Sequence, residues 1–140
     1  HTVILDRGKT HGVLLDSVLV DAAGVVGRVI EVHPATSVAL LITDPNSRIS
    51  CLLERSRESG LLVGTGAALT QVVYLDLGAD AVVGDRVVTA GLGGLFPKGL
   101  ALGEVVKVVR DEPRALTTLW VRPSVRLNQL EDTLCLPPGS

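Results

Sequence analysis

Aromatic residues are nearly missing from this sequence, whose 140 residues hold one Trp, one Tyr, one Phe and no Met. Apolar residues still make up 46% of the chain, so its interior must be filled by Val, Leu, Ile and Ala. The many valines favour strands over helices. So few rings build no stacking platform for bases, and a formal net charge of −2 offers no basic field to a phosphate backbone. No nucleic-acid partner is expected. Long apolar runs are missing too: the longest is Val38 to Ile42, far short of the roughly 20 residues a spanning helix needs. No membrane span or signal peptide is therefore expected within the chain. Its abrupt start at His1 and near-immediate strand-like run Val3-Ile4-Leu5 read as an excised domain, which leaves a parent protein free to carry an anchor. Cys51 and Cys135 lie inside apolar stretches, where buried thiols are expected and a disulfide is the alternative.

What the chain does have is short β-type runs separated by turn residues. The densest stretch is Gly84 to Val106. There Val87, Val88 and Thr89 suit a pleated, half-buried surface, while Gly91, Gly93 and Gly94 supply backbone conformations closed to residues with a Cβ. Beyond Phe96-Pro97-Lys98-Gly99 the alternation resumes, and Gly103 marks a bulge or a close backbone approach. Roughly eleven short strands with turn signals such as Thr43 to Ser47 point to barrels or a sandwich. Only Val125 to Asp132 reads as one or two helical turns. A faint internal repeat lays Val13 to Val20 on Val82 to Thr89, and Val26 to Val29 on Leu102 to Val105, as two similar small barrels would.

Reaction chemistry is harder to find. Gly94 and Gly99 have the separation of a phosphate-binding loop, but Leu100 and Ala101 follow where Lys and Ser or Thr are needed. Gly91-Leu92-Gly93-Gly94 fails the dinucleotide pattern, because Phe96 stands in place of the third glycine. The three histidines have no partners at metal-ligand spacing, and no cofactor is expected. Ser17, Ser37, Ser47, Ser59 and Ser124 lie near turns, but none sits in a nucleophile elbow. Asp16, Asp21, Asp44, Asp80 and Asp85 are expected to cap turns, and Arg55, Arg57 and Glu58 to form a solvated tip. Leu92, Leu95 and Phe96, beside three glycines, are either core or an apolar patch that wants a partner.

An ordered set of motifs carries a resemblance. It runs from Gly24-Val25-Val26-Gly27-Arg28-Val29 through Leu41 to Ile49 and Val63-Gly64-Thr65-Gly66, and ends in the glycine corner Gly84 to Gly99. Together they resemble the periplasmic β-rich region of the bacterial rod shape-determining MreC family. The resemblance implies an all-β fold of two small six-stranded barrels, arranged as in chymotrypsin-type proteases but without catalytic residues. The units are expected at residues 1–45 with 124–138, and 46–123. It also implies a periplasmic domain of a single-pass inner-membrane protein, held to the membrane only through an N-terminal anchor outside this chain. The implied role is a scaffold of the elongation machinery that regulates peptidoglycan synthesis. Its partners would be a class B penicillin-binding transpeptidase, MreD and other elongation proteins, and itself as a homodimer or filament. The family often has serine where this chain has Ala90, and neither cysteine belongs to the family pattern.

The expectation is thus a non-enzymatic scaffold that works through strand edges and apolar corners. Leu92, Leu95 and Phe96, with Tyr74 and Trp120, are its candidate partner contacts. A protease-like hydrolase and a peptidoglycan-binding module are the alternatives.

Overall fold

The computed structural model describes residues 1–127 and the backbone of 134–136. Most of the helical stretch expected over Val125 to Asp132, and residues 128–133 and 137–138 of the expected first unit, lie outside the described residues. The described elements are strands and one short 3-10 turn, Lys9–His11. In order, the strands are β1 (Thr2–Leu5), β2 (Val18–Asp21), β3 (Gly24–Val32), β4 (Ser37–Leu41), β5 (Arg48–Leu53) and β6 (Ser59–Gly64). They continue as β7 (Thr70–Asp76), β8 (Arg86–Thr89), β9 (Ala101–Asp111), β10 (Leu116–Pro123) and β11 (Leu134–Leu136). Strands β10-β7-β6-β5-β8-β9 close into a six-stranded barrel. The others form a five-stranded sheet in the order β1-β4-β3-β2-β11. The all-β class and the closed barrel are as expected, and the second unit is, among the described residues, this sheet of five.

Alternation explains how the two units share an interior. In β2 and β3, Leu19, Val26 and Val29 pack into the sheet's own core, while Val18 and Val25 point the other way, into the barrel core. The barrel core is built from Ile49, Cys51, Leu53, Leu62, Val72, Leu75, Leu102, Leu119 and Val121, all essentially inaccessible. A strand buried on both faces reads as a continuous apolar run rather than an alternation, which is what Val25-Val26 displays.

The internal repeat is physical. Asp16 N–H donates to Val29 O (2.9 Å) and Val29 N–H to Ser17 O (2.8 Å); in the second unit Gly84 N–H donates to Val105 O (2.8 Å) and Val105 N–H to Asp85 O (2.9 Å). Asp16 and Gly84 both have positive φ, 66° and 97°. Ser17 Oγ accepts from Leu14 N (3.3 Å) as a carboxylate oxygen of Asp85 accepts from Val82 N (3.0 Å). The structural equivalence is therefore Asp16 with Gly84 and Ser17 with Asp85, one residue away from the sequence alignment of Asp16 with Asp85. Each unit also needs one glycine at the same place: a Cβ on Gly27 would lie 2.0 Å from Leu40 O, and one on Gly103 would lie 2.3 Å from Arg122 O.

The expected solvated tip at Arg55 is instead a hub. Its guanidinium grips Asp85 with bonds of 2.7 and 3.0 Å and Asp80 with bonds of 3.0 and 2.8 Å, while Glu58 Oε1 accepts from Asp80 N (3.1 Å). The Asp85 side chain is only 3% exposed, and a buried carboxylate needs such a partner. The Arg55 hydrogen bonds hold both Asp80 and Asp85 below the usual carboxylate range. The chain between β7 and β8 is thereby tied to the end of β5.

Candidate functional site

The described residues bring no reactive constellation together. They contain no group of three His, Cys, Asp or Glu positioned to hold a metal ion. His11 Nδ1 accepts from Gly8 N (3.0 Å), His33 lies 3.7 Å from Glu31, and the His1 ring lies against Thr43 (3.0 Å). Ser17 Oγ is used by its own turn and Ser37 Oγ is buried without a partner. Asp21 and Asp44 cap backbone N–H groups, at Ala23 (2.7 Å) and Asn46 (2.8 Å). Cys51 is buried in the barrel, and loss of solvation pushes its thiol up to about 12. A thiol so hard to ionise is no nucleophile at neutral pH. Cys135 pairs through its backbone with Leu19, and its side chain lies outside the described residues.

What remains is surface. The glycine corner between β8 and β9 is closed by Thr89, whose hydroxyl donates to Pro97 O and accepts from Leu100 N (2.8 Å), while Gly99 N–H donates to Thr89 O (2.9 Å). Gly91, Gly93, Gly94 and Gly99 all have φ between 76° and 86°, a region costly for residues with a Cβ. This path folds the corner back on the barrel. Phe96, 8% exposed, joins the barrel core, Leu95 packs against that core half-buried, and Leu92 is left 67% exposed. Phe96 is thus core filling rather than an exposed anchor, because the glycine turns reverse the chain before it. Leu92 alone of the three faces solvent.

Tyr74 and Trp120 lie on a different surface, the outside of the barrel. In β10, Thr117, Leu119 and Val121 are buried, so Leu116, Thr118 and Trp120 point outward. In β9, Val108 packs on the core, which turns Lys107, Val109 and Asp111 outward. Trp120 pairs with Lys107 on one side and Gln71 on the other, and Gln71 pairs with Val63 of β6. Tyr74 sits where the β10–β7 register slips between Thr117 and Leu119. Its φ is 67° and it is 70% exposed. The extra residue of a bulge re-aims a side chain, and here it throws Tyr74 out beside Val73. Tyr74, Val109 and Leu116 are exposed on the adjoining strands β7, β9 and β10, with half-buried Trp120 and Val73 among them. Sequence reasoning missed the aliphatic members. The signal was the period-two alternation of β10, unreadable without the bulge registers that align it with β7 and β9.

A family model described as "Rod shape-determining protein MreC, barrel core" matches residues 1–136. The chain belongs to the MreC family. It is 35% identical over 135 residues to the cell shape-determining MreC of Escherichia coli K12, covering 96% of this chain and 37% of that protein. Against the MreC of Caulobacter vibrioides it is 37% identical over 108 residues, covering 76% of the chain and 31% of that protein. The chain thus spans about a third of the length of these MreC relatives. The crystal structure of MreC from Pseudomonas aeruginosa matches with a TM-score of 0.93 at 30% identity, over 96% of this chain and 88% of that one. An MreC from Helicobacter pylori, solved in a complex with a penicillin-binding protein (PBP2), shares the fold at a TM-score of 0.70 and 17% identity, over 95% and 76% of the two chains. MreC relatives are named for shape determination and not for a reaction.

Proposed function

We propose that the chain is the periplasmic β-rich domain of a single-pass inner-membrane scaffold of the elongation machinery. It associates with itself and binds a class B penicillin-binding transpeptidase, and so regulates peptidoglycan synthesis; MreD and other elongation proteins are further partners. The two units, residues 1–45 with 124–138 and 46–123, serve as rigid supports for contact surfaces. The observation that carries this is the exposure of Leu92 and Tyr74, with half-buried Trp120 facing outward, on a closed barrel. Large apolar groups on a rigid, solvent-facing scaffold are the raw material of binding hot spots. The H. pylori relative's complex with a penicillin-binding protein supports the transpeptidase as a partner. Leu92 is the contact we assign to it. Leu95 and Phe96 hold the corner that presents Leu92.

The test is photocrosslinking in cells from the membrane-anchored parent, with probes at Leu92, Tyr74 and Trp120. Capture of the transpeptidase from Leu92 is the expected result. If a serine-reactive phosphonate instead labels one serine of the purified chain, the hydrolase alternative replaces the scaffold.

A further inference from the structure

The first unit meets the barrel where the β2–β3 turn sits over the start of β9. A Cβ on Gly24 would lie 2.3 Å from Ala101 O, so the turn lies hard against that strand. Beside this contact is an open cleft of about 380 Å³. Val87 points into the barrel core, so Val88 points out of it. Val88 is nevertheless only 7% exposed and belongs to neither core; with Ala101 and Pro123 it gives the cleft an aliphatic lining. A charged row crosses that lining. Arg122 pairs with Glu104 of β9 and Glu104 with Arg86 of β8, and Glu54, just beyond β5, donates its backbone N–H to Arg86 O (2.9 Å). All four residues line the cleft. Glu104 spends its carboxylate on Arg122 (2.7 Å). Arg86 and Glu54 are exposed, and among the described residues neither has an ion-pair partner. The cleft thus offers one unpaired cation and one unpaired anion at neighbouring positions, on a rim whose charges cancel.

We infer that this cleft binds a short free peptide with both ends unblocked, its carboxylate on Arg86 and its ammonium on Glu54. A guanidinium takes a carboxylate through two parallel hydrogen bonds, and an ammonium, which only donates, needs an acceptor such as the Glu54 carboxylate. Because the rim is neutral, a simple anion or cation gains one contact and meets a like charge beside it. A ligand that carries both charges gains two contacts. Small-molecule sites span about 300–1,000 Å³, and 380 Å³ places this one at the dipeptide end of that range. Val88, Ala101 and Pro123 suit small aliphatic side chains between the two charged ends. The inference goes beyond the scaffold reading and uses none of its contacts, so either can fail alone.

Titration of the 140-residue chain with alanyl-alanine, followed by amide chemical shifts, tests this, with thermal melts to verify that each variant is folded. Shifts at Ala23, Val88, Ala101 and Gly103, all in the cleft, should move together and saturate, with a Kd on the order of a millimolar for so small a ligand. Acetyl-alanyl-alanine keeps only the carboxylate and alanyl-alanine amide only the ammonium; each should bind about tenfold more weakly. Arg86→Met and Glu54→Gln should each weaken alanyl-alanine about tenfold. Arg86→Met should cost the amide nothing, and Glu54→Gln should cost the acetylated peptide nothing. Lys107→Gln, which removes an exposed cation outside the cleft, should leave binding unchanged. The inference is overturned if no shift saturates below about 50 mM, if either blocked peptide binds as tightly as the free one, or if Arg86→Met and Glu54→Gln bind like the parent. None of these results would touch the crosslinking expected from Leu92.

Discussion

Leu92 and Phe96 stand four positions apart in one corner and should respond oppositely to truncation. Phe96 is 8% exposed and packs into the barrel core. Phe→Ala in a core costs about 3–5 kcal/mol, the spread reflecting how far the site collapses. A corner held by glycines and by Thr89 has room to relax, which sets Phe96→Ala at the lower end, about 3 kcal/mol. For 140 residues the unfolding entropy is on the order of 0.3 kcal/mol/K, so Tm should fall by about 10 °C. Leu92, 67% exposed, has little burial to lose, and Leu92→Ala should shift Tm by less than about 2 °C. Binding reverses the order. Leu92→Ala should weaken transpeptidase capture at temperatures where both variants are folded, while folded Phe96→Ala should retain capture. Unfolding followed by tryptophan fluorescence reads Trp120 alone, the single Trp of the chain. The reasoning fails if Phe96→Ala leaves Tm within about 2 °C of the parent and abolishes capture, because Phe96 would then be a contact and not support.

Three further outcomes follow from the interior. Asp85→Asn should cost about 2 kcal/mol at neutral pH, since Arg55 loses its charged bidentate partner, with urea denaturation as the measurement. Because Asp80 and Asp85 are held below their ordinary value of 3.8, their contribution is complete above that value and lost as pH falls through the lowered values. Acid melts should therefore drop more steeply for the parent than for Asp85→Asn, and parallel curves would refute the hub. Gly27→Ala forces a Cβ to within 2.0 Å of Leu40 O, a backbone clash expected to cost about 3 kcal/mol or more and readable as lost β3–β4 amide protection. Cys51 should resist alkylation at neutral pH until the chain is unfolded, as peptide mapping would report; fast labelling of Cys51 in the native state would contradict its burial and raised pKa.

Strand existence was legible because it depends on local residue type. Val87-Val88-Thr89 and Leu116 to Val121 are β-formers bounded by turn residues, and the structure makes them β8 and β10. Their partners were not legible, because register follows from bulges. The slips between Val87 and Val88, Thr117 and Leu119, and Trp120 and Val121 each redirect every side chain beyond them. The outward placement of Tyr74, near Val109 and Leu116, follows from the slip between Thr117 and Leu119. The Arg55 hub was hidden for another reason. Its carboxylates lie 25 and 30 residues away, and no local pattern separates a solvated Arg from one that folds back on a buried Asp. The repeat was visible but off by one, because the alignment matched carboxylates while the backbone matches the left-handed residues Asp16 and Gly84.

Tyr74 shows what strain implies about surfaces. Among the described residues the other non-glycine residues with positive φ, Asp16, Arg57 and Ala115, lie in turns and loops, whereas Tyr74 lies inside a strand. A left-handed residue with a Cβ costs roughly 1–2 kcal/mol, a cost the chain avoids with glycine at Gly91, Gly93, Gly94 and Gly99. Burial does not offset it here, since Tyr74 is 70% exposed. The slip in the β10–β7 register holds that conformation, and strain held in this way clusters at binding sites. Tyr74→Gly removes the strain and adds back about 0.5–1 kcal/mol of unfolded-chain entropy, for a net gain of up to about 1 kcal/mol and a Tm higher by about 3 °C. The same variant should lose self-association. A Tm that falls would mean that the ring stabilises the monomer, and the compensation would then have to be sought inside the barrel and not across an interface.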